Sequence, residues 1–185
     1  MAAGRRSRRS GMKKRVEIIG DSMLNNIEET AEGEKMPKSL NTRIYPHSGL
    51  KSIDMVDLVK VTARRQPDAV IIHVGSNDFN DPAEKIDAVG NLEATFKHLR
   101  KVSPKTEIAF STILHRYDQQ RNLEAPINQL NGKIAELCKQ YNVDIVSNDS
   151  IDATSLGQKL WHPNFRGKKK LASHWLDDIH HINRI

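Results

Sequence analysis

"DAVIIHVG", residues 68–75, is the stretch on which the fold turns. Ala69, Val70, Ile71, Ile72 and Val74 form an apolar run with no solvent-facing alternation, so both faces of the strand need cover. Working outward, "VEIIG" (16–20) and "TEIAFSTIL" (106–114) read the same way, and "VDIVS" (143–147) is a shorter version. "TRIYPHSG" (42–49) is a weaker strand, and Pro46 places its end there or puts it at a sheet edge.

Helical stretches separate these runs. "SMLNNIEETAEG" reads as a helix ending at Gly33. "SIDMVDLVKVTARRQ" spaces Ile53, Val56, Val59 and Val61 at near-helical intervals, with Ser52 as N-cap and Pro67 as the stop. Pro82 is expected to start a long helix with Ile86, Val89, Leu92, Phe96 and Leu99 on one face. "APINQLNGKIAELCKQYN" is the next helix, and a final one runs from about Gly167 through Leu171 and Trp175 to Ile179. Parallel strands need crossover connections, so five strands alternating with helices imply an α/β fold. Its architecture is a three-layer α/β/α sandwich around a five-stranded parallel sheet.

A chain of 185 residues suits one domain with a real core. No apolar run approaches the roughly 20 residues that span a bilayer. The basic N-terminus has no apolar segment after it and does not read as a secretory signal. Cys138 is the only cysteine, which excludes an internal disulfide and fits a reducing, cytoplasmic setting. Its context, "KIAELCKQY", makes it a small core residue of a helix. The net charge of +6 is concentrated in residues 1–15, which hold seven Lys or Arg and no acid; the remainder carries −1. Residues 1–14 therefore read as a disordered basic tail and 15–185 as the folded domain. Such a tail fits RNA, anionic lipid or a transport receptor, or serves as a solvated linker.

In a parallel sheet, ligands bind beyond the carboxyl ends of the strands. The first exit is Gly20-Asp21-Ser22, the second His47-Ser48-Gly49 and the third Gly75-Ser76-Asn77-Asp78; "LWHPNFRG" with His162 follows the fifth strand. Each has a plain structural reading. Asp21 or Ser22 can cap the next helix, Gly49 can be a turn glycine, and Asn77 and Asp78 can satisfy their own loop. Together they fit acyl transfer. A serine hydroxyl needs a base such as imidazole, and the tetrahedral oxygen it creates needs preorganised N–H donors. Ser22, His162, Gly49 and Asn77 supply these roles. Asp21 reads as structural. His73 reads as a satisfied core histidine. His47, His115 and His174 lack partners at metal-ligand spacing, adjacent His180 and His181 make a poor site, and no metal or cofactor is expected.

"IIGDSML", Gly49 in "HSGL", "HVGSND" and "WHPNFRG" resemble the ordered blocks of the SGNH hydrolases, also called GDSL-like esterases. That resemblance spans the chain from about Val16 to the last helix. It implies a flavodoxin-like sheet, Ser22 as nucleophile and His162 as base. It also implies an oxyanion hole from the amides of Ser22 and Gly49 with the Asn77 side chain. The substrate it implies is a small ester or lipid, with short acyl and in particular acetyl esters favoured. A narrower likeness is to the esterase domain of the first open-reading-frame protein of some vertebrate non-LTR retrotransposons, where RNA-binding and oligomerising segments accompany it.

One position departs from the pattern. The family places an aspartate three residues before the histidine, and this chain has Lys159 there. A cation cannot accept the imidazole N–H. Either a backbone carbonyl takes that role, leaving a Ser22–His162 dyad, or Asp149 or Asp152 folds back as the third triad member. Lys159, the basic tail and "RGKKK" (166–170) also support a different reading, a catalytically silent domain that binds RNA or anionic membrane.

Overall fold

The computed structural model describes residues 13–30, 40–117, 122–159 and 161–182, except for the side chains of 180–182. Residues 1–12, the expected helix end at Gly33 and the His180–His181 side chains lie outside that description.

Five strands form one parallel sheet: β1 (Lys14–Gly20), β2 (Leu40–Pro46), β3 (Ala69–His73), β4 (Glu107–Ser111) and β5 (Asp144–Val146). Their order is β2-β1-β3-β4-β5, with every neighbouring pair parallel, so β2 and β5 are the edges. The flavodoxin-like order and the three-layer architecture agree with the expectation. β1 begins at Lys14, where the tail was expected to end.

β3 is buried along its whole length. Its period-2 geometry divides the apolar run between two cores. Val70 and Ile72 join Ile19, Ile108 and Phe110 against helices α1 (Ser52–Arg65), α2 (Ala88–Val102) and α3 (Glu124–Tyr141). Ala69 and Ile71 join Val16, Ile18 and Ala109 on the other face, beneath α4 (Phe165–Ile182) and the segment holding Met23, Leu24 and Ile27. Trp175 of α4 is fully buried there and donates from Nε1 to Ser111 Oγ at 3.0 Å.

Three local expectations are corrected. After β1 there is no regular helix over 22–30. A short 3-10 turn, Ser22–Leu24, ends where Asn26 takes a positive φ of 58°, a conformation that interrupts a right-handed helix. α2 starts at Ala88 instead of following Pro82. Asp87 caps it by accepting the Gly90 amide, and Asp81 holds the preceding residues in a turn by accepting the Ala83 amide. In α1, Ser52 is the first helical residue and not the cap; Lys51 precedes it, and Asp54 accepts the Lys51 amide. Its buried face is Met55, Val59 and Ala63, while Ile53 and Val61 are more than half exposed.

The backbones of β1 and β3 approach closely where β1 ends. A Cβ on Gly20 would lie 2.2 Å from the carbonyl oxygen of His73 on β3, so the two backbones pass too closely for any side chain. Gly20→Ala is expected to force β1 and β3 apart and lower stability by about 1–3 kcal/mol, a typical overpacking cost. A fall in the urea midpoint at unchanged m-value would show it.

Candidate active site

Three strand exits and the loop before α4 converge above the carboxyl end of the sheet. The chain leaving β1 is held by the Asp21 amide, which donates to the His73 carbonyl at 3.2 Å. The Asp21 carboxylate then caps the 3-10 turn, with Oδ1 accepting the Met23 amide at 2.9 Å. Capping thus falls to Asp21. The Ser22 hydroxyl is instead 2.8 Å from His162 Nε2. As the first residue of its turn, Ser22 has an N–H without an intrahelical acceptor.

Gly49 and Asn77 sit on loops tied to each other. Gly49 has φ +75°, and a Cβ there would meet nothing within 4 Å, so backbone conformation and not crowding selects glycine. Its amide donates to no acceptor among the described residues. Asn77 Nδ2 gives one hydrogen to the Leu50 carbonyl at 3.0 Å, which leaves its second available. Asp78 bonds outside its own loop and away from Ser22. Its Oδ1 accepts the Ser52 amide at 2.9 Å and pins the start of α1 to the Asn77 loop.

His162 is exposed and carried on a braced loop. Its carbonyl accepts the Gly157 amide at 2.8 Å, and Leu156 and Pro163 form an antiparallel bridge. Asn164 donates from Nδ2 to the carbonyls of Thr154 and Leu156 and accepts the Gly167 amide. The carboxylate of Asp152 belongs to this brace. Its Oδ1 takes the Thr154 hydroxyl and both the amide and hydroxyl of Ser155. These bonds hold its carboxyl down to about 2, and none of its bonds reaches His162. Asp149 likewise has no bond to His162; its amide donates to Ser147 Oγ. Among the described residues no acceptor meets His162 Nδ1, and Leu160 lies outside them. Lys159 turns its ammonium toward the Trp161 ring, 5.8 Å from the centroid.

The lining residue Arg116 was missed in the sequence. Arg116 follows β4, is buried, and donates from Nη1 to the Ser76 carbonyl at 2.9 Å and to Asn80 Oδ1 at 2.7 Å. Its guanidinium stacks 5.3 Å from the Trp161 ring, which in turn stands edge-on to His162. The strand-exit rule would have found Arg116 had the fourth exit been searched with the others. Asp21, Ser22, Asn77, Asn80, Arg116, Trp161 and His162 line a cavity of about 100 Å³. A larger groove of about 450 Å³ lies between the loop ahead of α2 and α3, and none of Ser22, Asn77 or His162 lines it.

The buried groups around the site respond to the low dielectric. Burial pushes the Asp21 carboxyl up to about 6, against the Met23 amide and the charges of His162 and Arg116. Burial also pushes His73 down to about 4, so it is neutral and bonds Ser111 through Nδ1 at 3.0 Å. Cys138 is buried in α3 and its thiol is pushed up to about 12, the behaviour of a core residue. Because neither Asp149 nor Asp152 bonds His162, Asp149→Asn and Asp152→Asn are each expected to keep turnover of an activated acetyl ester within about tenfold of the parent. A triad aspartate would instead cost about 10⁴ in kcat. Steady-state kinetics of the two variants checks this.

Solved structures similar to this one include esterases and lipases. A carbohydrate esterase of family 3 from Talaromyces cellulolyticus aligns with a TM-score of 0.74 and 18% identity, covering 93% of this chain and 99% of that one. A GDSL-like lipase from Bacteroides thetaiotaomicron gives 0.76 and 17%, covering 91% and 89%. An acetyl xylan esterase from Geobacillus stearothermophilus gives 0.72 and 16%, covering 91% and 95%. No curated protein matches by sequence. These likenesses establish a shared fold. The sequence itself matches the GDSL-like Lipase/Acylhydrolase family over residues 18–181, so the chain belongs to that family and is a carboxylic ester hydrolase.

Proposed function

We propose that this protein hydrolyses short acyl esters, acetyl esters foremost, through an acyl-enzyme formed on Ser22. The observation that carries the reading is the 2.8 Å contact between Ser22 Oγ and His162 Nε2. In the first half-reaction Nε2 takes the hydroxyl proton as Oγ bonds to the ester carbonyl carbon. The resulting oxyanion is held by the amides of Ser22 and Gly49 and by the second Nδ2 hydrogen of Asn77. Collapse breaks the ester C–O bond, and the imidazolium returns its proton to the departing alkoxide. Water, deprotonated by the same imidazole, then releases the acid and restores Ser22.

A cavity of about 100 Å³ supports the small acyl group, since pockets for larger ligands run to several hundred Å³. Neighbours described as carbohydrate and acetyl xylan esterases point the same way. Ser22→Ala should lower kcat on an activated acetyl ester at least about a thousandfold with the fold intact, and Asn77→Ala about 10²–10³-fold. Undiminished turnover in the serine variant would sink the assignment.

The setting we propose is a cytoplasmic retrotransposon ribonucleoprotein, in which the basic residues 1–14 engage RNA or anionic membrane and flanking segments oligomerise the chain. Its support is the motif resemblance, the lone buried Cys138 and the charge confined to the N-terminus. A second reading, a weakly active or silent binding domain, draws on Lys159 and on the His162 Nδ1 left without a described partner. Ester turnover separates the two, and titration with labelled RNA and with anionic vesicles over a salt series tests the binding they share, because charge-driven binding weakens as salt rises. Deleting residues 1–12, which stops short of β1, should cut that binding and leave ester turnover unchanged; a parallel loss of both would contradict the separation.

A further inference from the structure

The carboxylate that would support His162 is absent from position 159, yet a buried carboxylate lines the same cavity from the exit of β1. Asp21 is 1% exposed. Its Oδ1 caps the 3-10 turn, while Oδ2 is buried without a hydrogen-bond partner. An unbonded buried carboxylate oxygen is costly, and asparagine would cap the same turn about as well without a charge. Capping therefore does not account for an acid here.

The charged neighbours of Asp21 among the described residues are His162, from the loop before α4, and Arg116, from the exit of β4. On β3, His73 offers only its carbonyl, because its ring is held neutral by burial. We infer that Asp21 acts through space on His162, supplying the negative charge that stabilises the imidazolium formed when Ser22 loses its proton. Asp21 is thus a positioning residue, and the inference rests on the roles of Ser22 and His162 proposed above. No proton passes through it. The Ser22 proton moves to Nε2 and from there to the leaving alkoxide, while the fixed charge of Asp21, itself buried, lowers the energy of the charged intermediate.

The stability linkage carries a sign that a capping role does not share. The folded carboxyl titrates at about 6, above its ordinary 3.8, so between those values the native state binds more protons than the unfolded chain. Stability therefore falls as pH rises through that window, and above it the ionised Asp21 is carried at a cost to the fold. A charge kept against stability is the pattern of a functional group.

Asp21→Asn keeps the Oδ1 acceptor and removes the charge. At pH 7.5 its melting temperature should equal or exceed that of the parent, and kcat on an activated acetyl ester should fall about tenfold or more with KM little changed. The ring signals of His162, followed by NMR, and the acid limb of kcat/KM should both move to lower pH, because a nearby anion favours the imidazolium. The titration decides: an unmoved His162 titration overturns the inference whatever happens to turnover. Should the variant not fold, His162→Gln answers from the other side, since the Asp21 carboxyl, followed by NMR, should titrate higher once the imidazolium beside it is gone. An unmoved Asp21 titration would overturn it. This coupling is measured without turnover, so an active Ser22→Ala would remove the esterase reading while leaving the titration result standing.

Discussion

The hydrogen bond from the Asp21 amide to the His73 carbonyl is the constraint on which the rest of the site depends. It lies beside a glycine whose Cβ would strike that same carbonyl. Because β3 is buried on both faces, shifting it to relieve the contact is costly, and the exit of β1 inherits its rigidity. Ser22 comes two residues after Gly20, so its hydroxyl is positioned by the sheet and not by a mobile loop.

The other parts are referred to that point by bonds between side chains and backbone. Asn77 reaches the Leu50 carbonyl and Asp78 the Ser52 amide, which join the exits of β2 and β3. Arg116 ties the Asn77 loop to the exit of β4 through the Ser76 carbonyl. Asn164 and Asp152 lock the loop that carries His162. Each such bond satisfies a backbone group that a loop at a strand end would otherwise leave bare, so the order of the site and the hydrogen-bond needs of its loops are met together.

Charge is distributed with less economy. Asp21 is buried with one oxygen unpartnered, while the exposed Lys159 stands beside Trp161 where the family carries an acid. Removing water around Asp21 raises its energy when ionised, and the same burial holds its charge in place on the side of the cavity that His162 also lines. Stability and reactivity are therefore set against each other at this one residue.

Much of this was legible in the chain. The unbroken apolar run at 69–72 determined a doubly covered strand, and its alternation with helices determined a parallel sheet whose carboxyl ends gather Ser22, Gly49, Asn77 and His162. Those are consequences of period and composition, which a sequence carries openly. Local starts and stops were less legible. Asn26 ended a helix early and Asp87 began one late, because a single capping or left-handed residue outweighs a periodic pattern several residues long. Only the tertiary structure decided the partners of His162, the burial of Asp21 and the arrival of Arg116 beside Trp161. Residues 21, 116 and 162 are far apart in sequence and carry no pattern that links them. Their interaction depends on distance and dielectric, which exist only once the sheet and its loops have closed around them.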